Sequence, residues 1–310
     1  MGDREVFLDV PGECYHFQVK EGVIQRDTVD GLRNNHEEAE TKICLHSLSA
    51  DYEHGNIVVR ASDTDIAVIL LYHCHKFLST LWMDIGTASK NNRRYVSITA
   101  ICNELGPDLC AALPTFHAFT GSDYTSAFVR KGKVRPFKTL EKQPDYQNSF
   151  RVMATNTTDS SMRVALQRFT AAMYGAKDTT NTSLNEFRYD NFMKAYGPKG
   201  NAKKLRANLR GVDASGLPPC EDELNTHIKH ASFVANMWAR ADQNHIEQHP
   251  TEENGWQLVD DHYKPVWFEG EQLPESLIPE TEELEAMDKE EEDDMEIASS
   301  DEDDSSDEDD

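Results

Sequence analysis

Five carboxylates fall into three short groups along the chain: Glu38 and Glu40 in HEEAET, Asp63 and Asp65 in ASDTDIAV, and Asp123 in TGSDYTSAF. A carboxylate costs free energy when it is drawn toward a core. Yet Asp63 and Asp65 stand between a strand-like run, Ile57–Val59, and the longest apolar run of the chain, Ile66–Leu71. In an open α/β sheet the C-terminal ends of parallel strands gather at one edge, where ligand sites form, and Asp63 directly follows a strand. Five carboxylates converging there would suit Mg²⁺ or Mn²⁺, which prefer oxygen ligands. Two such ions about 3.5–4 Å apart activate a water and steady the leaving oxygen in phosphodiester cleavage. Side chains at i and i+2 share a face in extended backbone, so Asp63 and Asp65 serve one cleft if the chain is still extended. In a helix they diverge by about 200°, so Glu38 and Glu40 reach one site only if Glu38 lies at or before the first turn. Each acid also has a structural reading. Ser62 with Asp65 and Asn35 with Glu38 resemble capping boxes, the helix dipole favours acids in a first turn, and Asp123 suits a turn.

Directly after the last acid, Arg130, Lys131, Lys133, Arg135 and Lys138 place five cations within nine residues. Such a cluster holds a phosphate backbone without reading sequence; the alternative is a solvated loop. A second cluster, Lys199, Lys203, Lys204, Arg206 and Arg210, reads as a solvated helix face. His73, Cys74 and His75 lack the second ligand pair that a structural zinc site needs. His117, in TFHAF, reads as a core histidine, and no Walker frame is present.

The elements that must position these residues follow from patterning. EVFLDV and CYHFQV alternate around Pro11-Gly12 and predict a hairpin or two neighbouring strands. Residues 34–55 predict a helix and NIVVRA a buried strand. The run after Asp65 is strand or helix, since periodicity does not separate them at that length. TLWMDI and RRYVSI predict further strands, and two helices follow, parted by Gly106-Pro107 and ending near Gly121. Strand, helix, strand in this order predicts an α/β domain with a mainly parallel sheet and flanking helices over residues 1–145. Residues 146–275 read as a mostly helical region, with Trp256, Trp267 and Phe268 in a loop-like stretch. Residues 276–310 read as a disordered acidic tail.

Of the net charge of −25, the stretch from Glu275 onward carries −19, from 20 acidic residues against one lysine, which leaves −6 for the rest. The acidity therefore belongs to the tail. Such a tail solubilises the chain; its functional alternatives are to bind basic proteins or compete with nucleic acid for a basic patch, and Ser299, Ser300, Ser305 and Ser306 precede acidic runs that suit phosphorylation. Six cysteines without paired spacing read as reduced thiols. No signal peptide is legible, and the longest apolar run, six residues, is far short of the ~20 that span a bilayer. We therefore expect an intracellular protein, nuclear or cytoplasmic, with no membrane partner.

EEAET, SDTD and GSDYTSAF followed by KGK resemble the central half of the flap-endonuclease family, within the PIN-like nuclease superfamily. The resemblance implies that Glu38, Glu40, Asp63, Asp65 and Asp123 bind metal ions. It also implies that VRKGKVRPFK matches a helix-turn-helix element gripping the duplex backbone. The motifs HEEAET, ASDTD, ALPTFHAFTGSDYTSAF, RKGK, GW and PVW are similar, over about residues 1–275, to a set of multicopy animal proteins of suspected mobile-element origin. The departures are specific. Only Asp9 is placed to stand in for the superfamily's first-strand aspartate, so the nuclease domain reads as N-terminally truncated. Arg130 replaces the first glycine of the gripping turn, and the chain ends in DEDDSSDEDD where the similar animal proteins carry a cysteine-rich tail. The expectation is a Mg²⁺- or Mn²⁺-dependent nuclease acting on structured or duplex DNA, with RNA as the second candidate. The alternative is a catalytically inactive remnant that serves as a binding or scaffold protein.

Overall fold

The computed structural model describes residues 4–177, 183–197, 214–247, 252–260 and 262–270. The chain begins as an antiparallel meander of β1 (Glu5–Val10), β2 (Glu13–Lys20) and β3 (Val23–Thr28). Its second turn is the pair Glu21-Gly22, with φ of 52° and 78°, the left-handed conformation whose twist matches the flanking strands. The alternation predicts only two strands here. β3 is exposed along its whole length, so no in–out pattern marks it.

A second sheet has the order β4 (Asn56–Arg60), β5 (Thr80–Ile85), β6 (Arg94–Ser97). β4 and β5 are parallel, joined through α2 (Thr64–His73), whereas β5 and β6 are antiparallel. The expected mainly parallel sheet therefore gives way to a mixed α/β arrangement of small sheets with one parallel pair. The eight residues between β5 and β6 are too few for a crossover, which takes a dozen or more, so β6 has to return antiparallel. The apolar run after Asp65 is helix α2, the crossover itself.

α1 (Ala39–Ser49) precedes β4; α3 (Ile98–Leu105) and α4 (Pro107–Phe119) follow β6. Gly106, at φ 79°, ends α3, and Pro107 opens α4 where its missing N–H has no helical partner to lose. α5 (Val134–Lys142), α6 (Pro144–Met153), α7 (Ser160–Met173), α8 (Leu184–Tyr196) and α9 (Glu221–Ala239) make up the helical region. The expected loop around Trp256 is instead a hairpin of β7 (Trp256–Val259) and β8 (His262–Pro265).

One apolar core runs from Cys44 to Ala241 and takes in Ile69, Leu81, Phe119, Phe150, Phe169 and Trp238. Phe116, Phe119, Phe150 and Phe169 meet largely edge-on with ring centroids 5.1–6.3 Å apart, a geometry favoured by their quadrupoles. The core thus crosses residue 145, where the sequence predicts a boundary. The described residues within 4–195 and 215–268 belong to one compact unit; residues 196–214 and 269–310 form a second, most of which lies outside the described residues. The acidic tail and the Lys199–Arg210 cluster fall there. Among the described residues no helix is long and apolar enough to cross a membrane.

Candidate acidic cleft

Glu38 sits on an extended strap ahead of α1. The amide of Asn35 donates to the Ile246 carbonyl at 3.0 Å and accepts from the Ile246 N–H at 2.8 Å. His36 Nε2 meets the Gln243 carbonyl at 2.6 Å. Because Asn35 is engaged in this way it caps nothing, and α1 starts at Ala39, later than the sequence predicts. Glu38, at φ −88° and ψ 141°, therefore precedes the first turn, the condition under which it and Glu40 serve one site. The Trp238 indole N–H donates to Glu38 Oε2 at 3.3 Å. Burial pushes Glu38 up to about 7; the like charges of Glu40, Asp65 and Glu37 push the same way, while the indole bond opposes them.

Asp63 and Asp65 stand where β4 hands over to α2. Asp63 Oδ1 accepts from the Asp65 backbone N–H at 2.9 Å and so caps α2. Ser62, the other cap candidate, instead accepts from the Gly86 N–H at 3.1 Å. Asp63 is exposed, whereas Asp65 is buried. Asp65 Oδ1 lies 2.7 Å from His117 Nε2, and Lys133 Nζ lies 2.9 Å from His117 Nδ1. An ammonium has only donors, so Nδ1 must accept and Nε2–H must donate to Asp65. The order Lys133, His117, Asp65 thereby fixes the imidazole tautomer. Lys133 also donates to the carbonyls of His117, at 3.0 Å, and Gly121. Burial holds Lys133 down at about 8, against the pull of Asp65.

Asp123 is exposed in a tight turn, in which Ser122 and Thr125 bridge and the Thr125 hydroxyl donates to the Ala118 carbonyl at 2.6 Å. Gly121 enters that turn at φ 110°, where a Cβ would stand 2.6 Å from that of Ala127. The neighbouring Tyr124 hydroxyl reports the field: burial raises it above the usual range, and so do Glu38, Glu40, Asp123 and Asp65. Four of the five acids, from three stretches of chain, thus lie within electrostatic reach of one hydroxyl. Asp63 is turned to the start of its own helix. Among the described residues no three of His, Cys, Asp or Glu stand together closely enough to hold a metal ion.

The cations divide. Lys133 points inward, as above. The Lys131 ammonium sits 4.1 Å from the centre of the Tyr174 ring, a cation–π contact. Arg130 keeps a left-handed backbone, φ 58°, a conformation that glycine adopts most readily. Arg135 and Lys138 are exposed on α5, a helix where a loop is the alternative reading. Asp9 belongs elsewhere. It accepts from Asn34 Nδ2 and meets His46 Nε2, both at 2.9 Å, tying β1 to α1.

Sequence reasoning missed Trp238, the partner of Glu38, and the outward lysine and arginine of a groove beside Ser62. That groove, about 560 Å³, is lined by Lys90, Asn92 and Arg94 of the β5–β6 turn. Asp84, at the C-terminal end of β5, is a further buried acid of the same sheet, but Arg60 and Arg93 neutralise it at 3.2 and 2.6 Å. Comparison of the chain with protein-family models, curated proteins and solved structures returns no match.

Proposed function

We propose that the cleft is the ion-binding centre of a PIN-like phosphodiesterase of flap-endonuclease type, acting on structured or duplex DNA. The observation that carries the reading is that Glu38, Glu40, Asp65 and Asp123, from three stretches of chain, all act electrostatically on the Tyr124 hydroxyl and, after burial, raise its proton affinity. Like charges raise one another's proton affinity; in Glu38 burial is the larger cause, and the charges of Glu40, Asp65 and Glu37 add to it. A divalent cation would relieve the repulsion. The donors match Mg²⁺ or Mn²⁺ in kind, being all oxygen; because no three of them among the described residues stand close enough to ligate one ion directly, Glu38, Glu40, Asp123 and Asp65 Oδ2 would reach it in part through the waters such ions retain, with Asp65 Oδ1 serving His117. Bound there, the ion would supply a water nucleophile at neutral pH. The chain's own residues do the rest. His117 and Lys133 hold Asp65 in place, and Arg135 and Lys138 present charge to the phosphate backbone.

The test is a thermal melt of the protein with and without Mn²⁺, beside Asp123→Asn, which alters an exposed acid and leaves the core alone. At a concentration ~100 times the dissociation constant, specific binding adds about 2.7 kcal/mol. We expect that shift in the wild type and its loss in the variant, together with Mn²⁺-dependent cleavage of branched DNA that the variant lacks. An identical shift in both proteins would assign the ions to other acids and remove the support for the reading.

A second reading, a catalytically silent remnant that binds DNA as a scaffold, is favoured by the spacing of the acids, which among the described residues is too wide for a three-ligand site. It predicts DNA binding without cleavage and no stabilisation by Mn²⁺.

A further inference from the structure

Three thiols meet where α2 ends, α3 runs and α4 begins. Cys110 Sγ lies 3.8 Å from Cys102 Sγ and 3.9 Å from the Cys102 carbonyl oxygen. The Cys74 thiol lies beside Cys102 and Thr99. All three are reduced. A disulfide has an S–S distance of about 2.03–2.05 Å, so Cys102 and Cys110 need to close by roughly 1.8 Å. The backbone between them already turns back at Gly106, φ 79°. Cys102 is partly exposed, whereas Cys110 and Cys74 are buried, so one sulfur faces a reagent and another waits behind it.

We propose that Cys102 and Cys110 form a redox-active thiol pair, oxidised by a small disulfide such as glutathione disulfide. The inference stands apart from the chemistry of the acidic cleft. The Cys102 thiolate attacks one sulfur of glutathione disulfide, forming a mixed disulfide and expelling a glutathione thiolate, which takes up the proton Cys102 has lost. Cys110 then attacks Cys102 Sγ, and the second glutathione leaves with the Cys110 proton. Two protein thiols are oxidised to one disulfide and one glutathione disulfide is reduced to two thiols. Burial pushes Cys110 up to about 12, so its thiolate forms only as it attacks. The bond would pin α3 to α4, the helix that carries His117.

The experiment treats the full chain with millimolar glutathione disulfide, alkylates the remaining thiols and digests with trypsin. Cys102 and Cys110 fall on one tryptic peptide, residues 95–130, and Cys74 on another, residues 61–76. The expected product is a 95–130 peptide two hydrogens lighter, unalkylated, and restored by reductant. Cys110→Ser should stop at Cys102 carrying one glutathione. A cross-linked pair of the two peptides would overturn the proposal, as would a lasting mixed disulfide at Cys102 of the wild type. Full alkylation of both residues would overturn it too.

Discussion

Burial drives both Glu38 and Lys133 toward their neutral forms, one up to about 7 and the other down to about 8. For Glu38 the folded value lies above the ordinary 4.5, so the folded chain holds an extra proton between those limits. The stability this group contributes is complete below 4.5 and lost as pH rises through about 7. Glu38→Gln keeps an acceptor for the Trp238 indole and has no charge to bury. We predict that its melting temperature gains on the wild type as pH rises across this window; a constant difference would argue against a buried, repelled Glu38. The comparison has to be variant against wild type, because His73 and His227, held down at about 4 by burial, tilt the whole profile the other way. Lys133 yields a second prediction. Lys133→Met strips donors from the His117 and Gly121 carbonyls and should cost roughly 1–3 kcal/mol, read by urea unfolding. If DNA binds along α5, that variant leaves the salt slope of affinity unchanged, while Arg135→Gln and Lys138→Gln each lower it by about 0.9. Equal slopes for all three variants would show that α5 does not hold the backbone.

At the scale of elements, the proposed site depends on how α2 starts and how α4 stops. Asp63→Ala removes the α2 cap and should cost about 1 kcal/mol in a chemical melt. Gly121→Ala forces a side chain into a left-handed position against Ala127 and should cost more than about 1 kcal/mol, with Asp123 displaced and any Mn²⁺ stabilisation reduced. A Gly121→Ala protein as stable as the wild type would mean that the turn is looser than drawn. These two positions also mark what was legible beforehand. Gly106-Pro107 and the end near Gly121 can be read because their signals are local and covalent. Which acid caps α2 cannot, because Ser62 and Asp63 both have the right chemistry and the choice is made by Gly86 on a neighbouring turn. The mainly parallel sheet expected over residues 1–145 fails at β6, whose eight-residue connection to β5 is too short for a crossover.

For the molecule as a whole, the acids of the proposed site were singled out by type and spacing, but the groups that set the charge of Glu38 and hold Asp65 were not. Trp238 lies 200 residues from Glu38 and Lys133 16 from His117; no local pattern announces either contact. Trp238 is fully buried in the core that crosses residue 145. Trp238→Ala should therefore cost roughly 3–5 kcal/mol. A fragment ending at residue 145 should show no cooperative melt, since it lacks α6, α7 and α9; a sharp transition for it would refute the single shared core. The bonds from Asn35 and His36 to Ile246 and Gln243 join segments more than 200 residues apart. Such contacts demand a large loop closure before they yield anything. During synthesis, then, Glu38 cannot be covered by the Trp238 ring until residue 238 has emerged, nor fixed on its strap until residue 246 has. A nascent chain therefore carries the five acids through more than a hundred residues of synthesis before the groups that bury and position Glu38 exist.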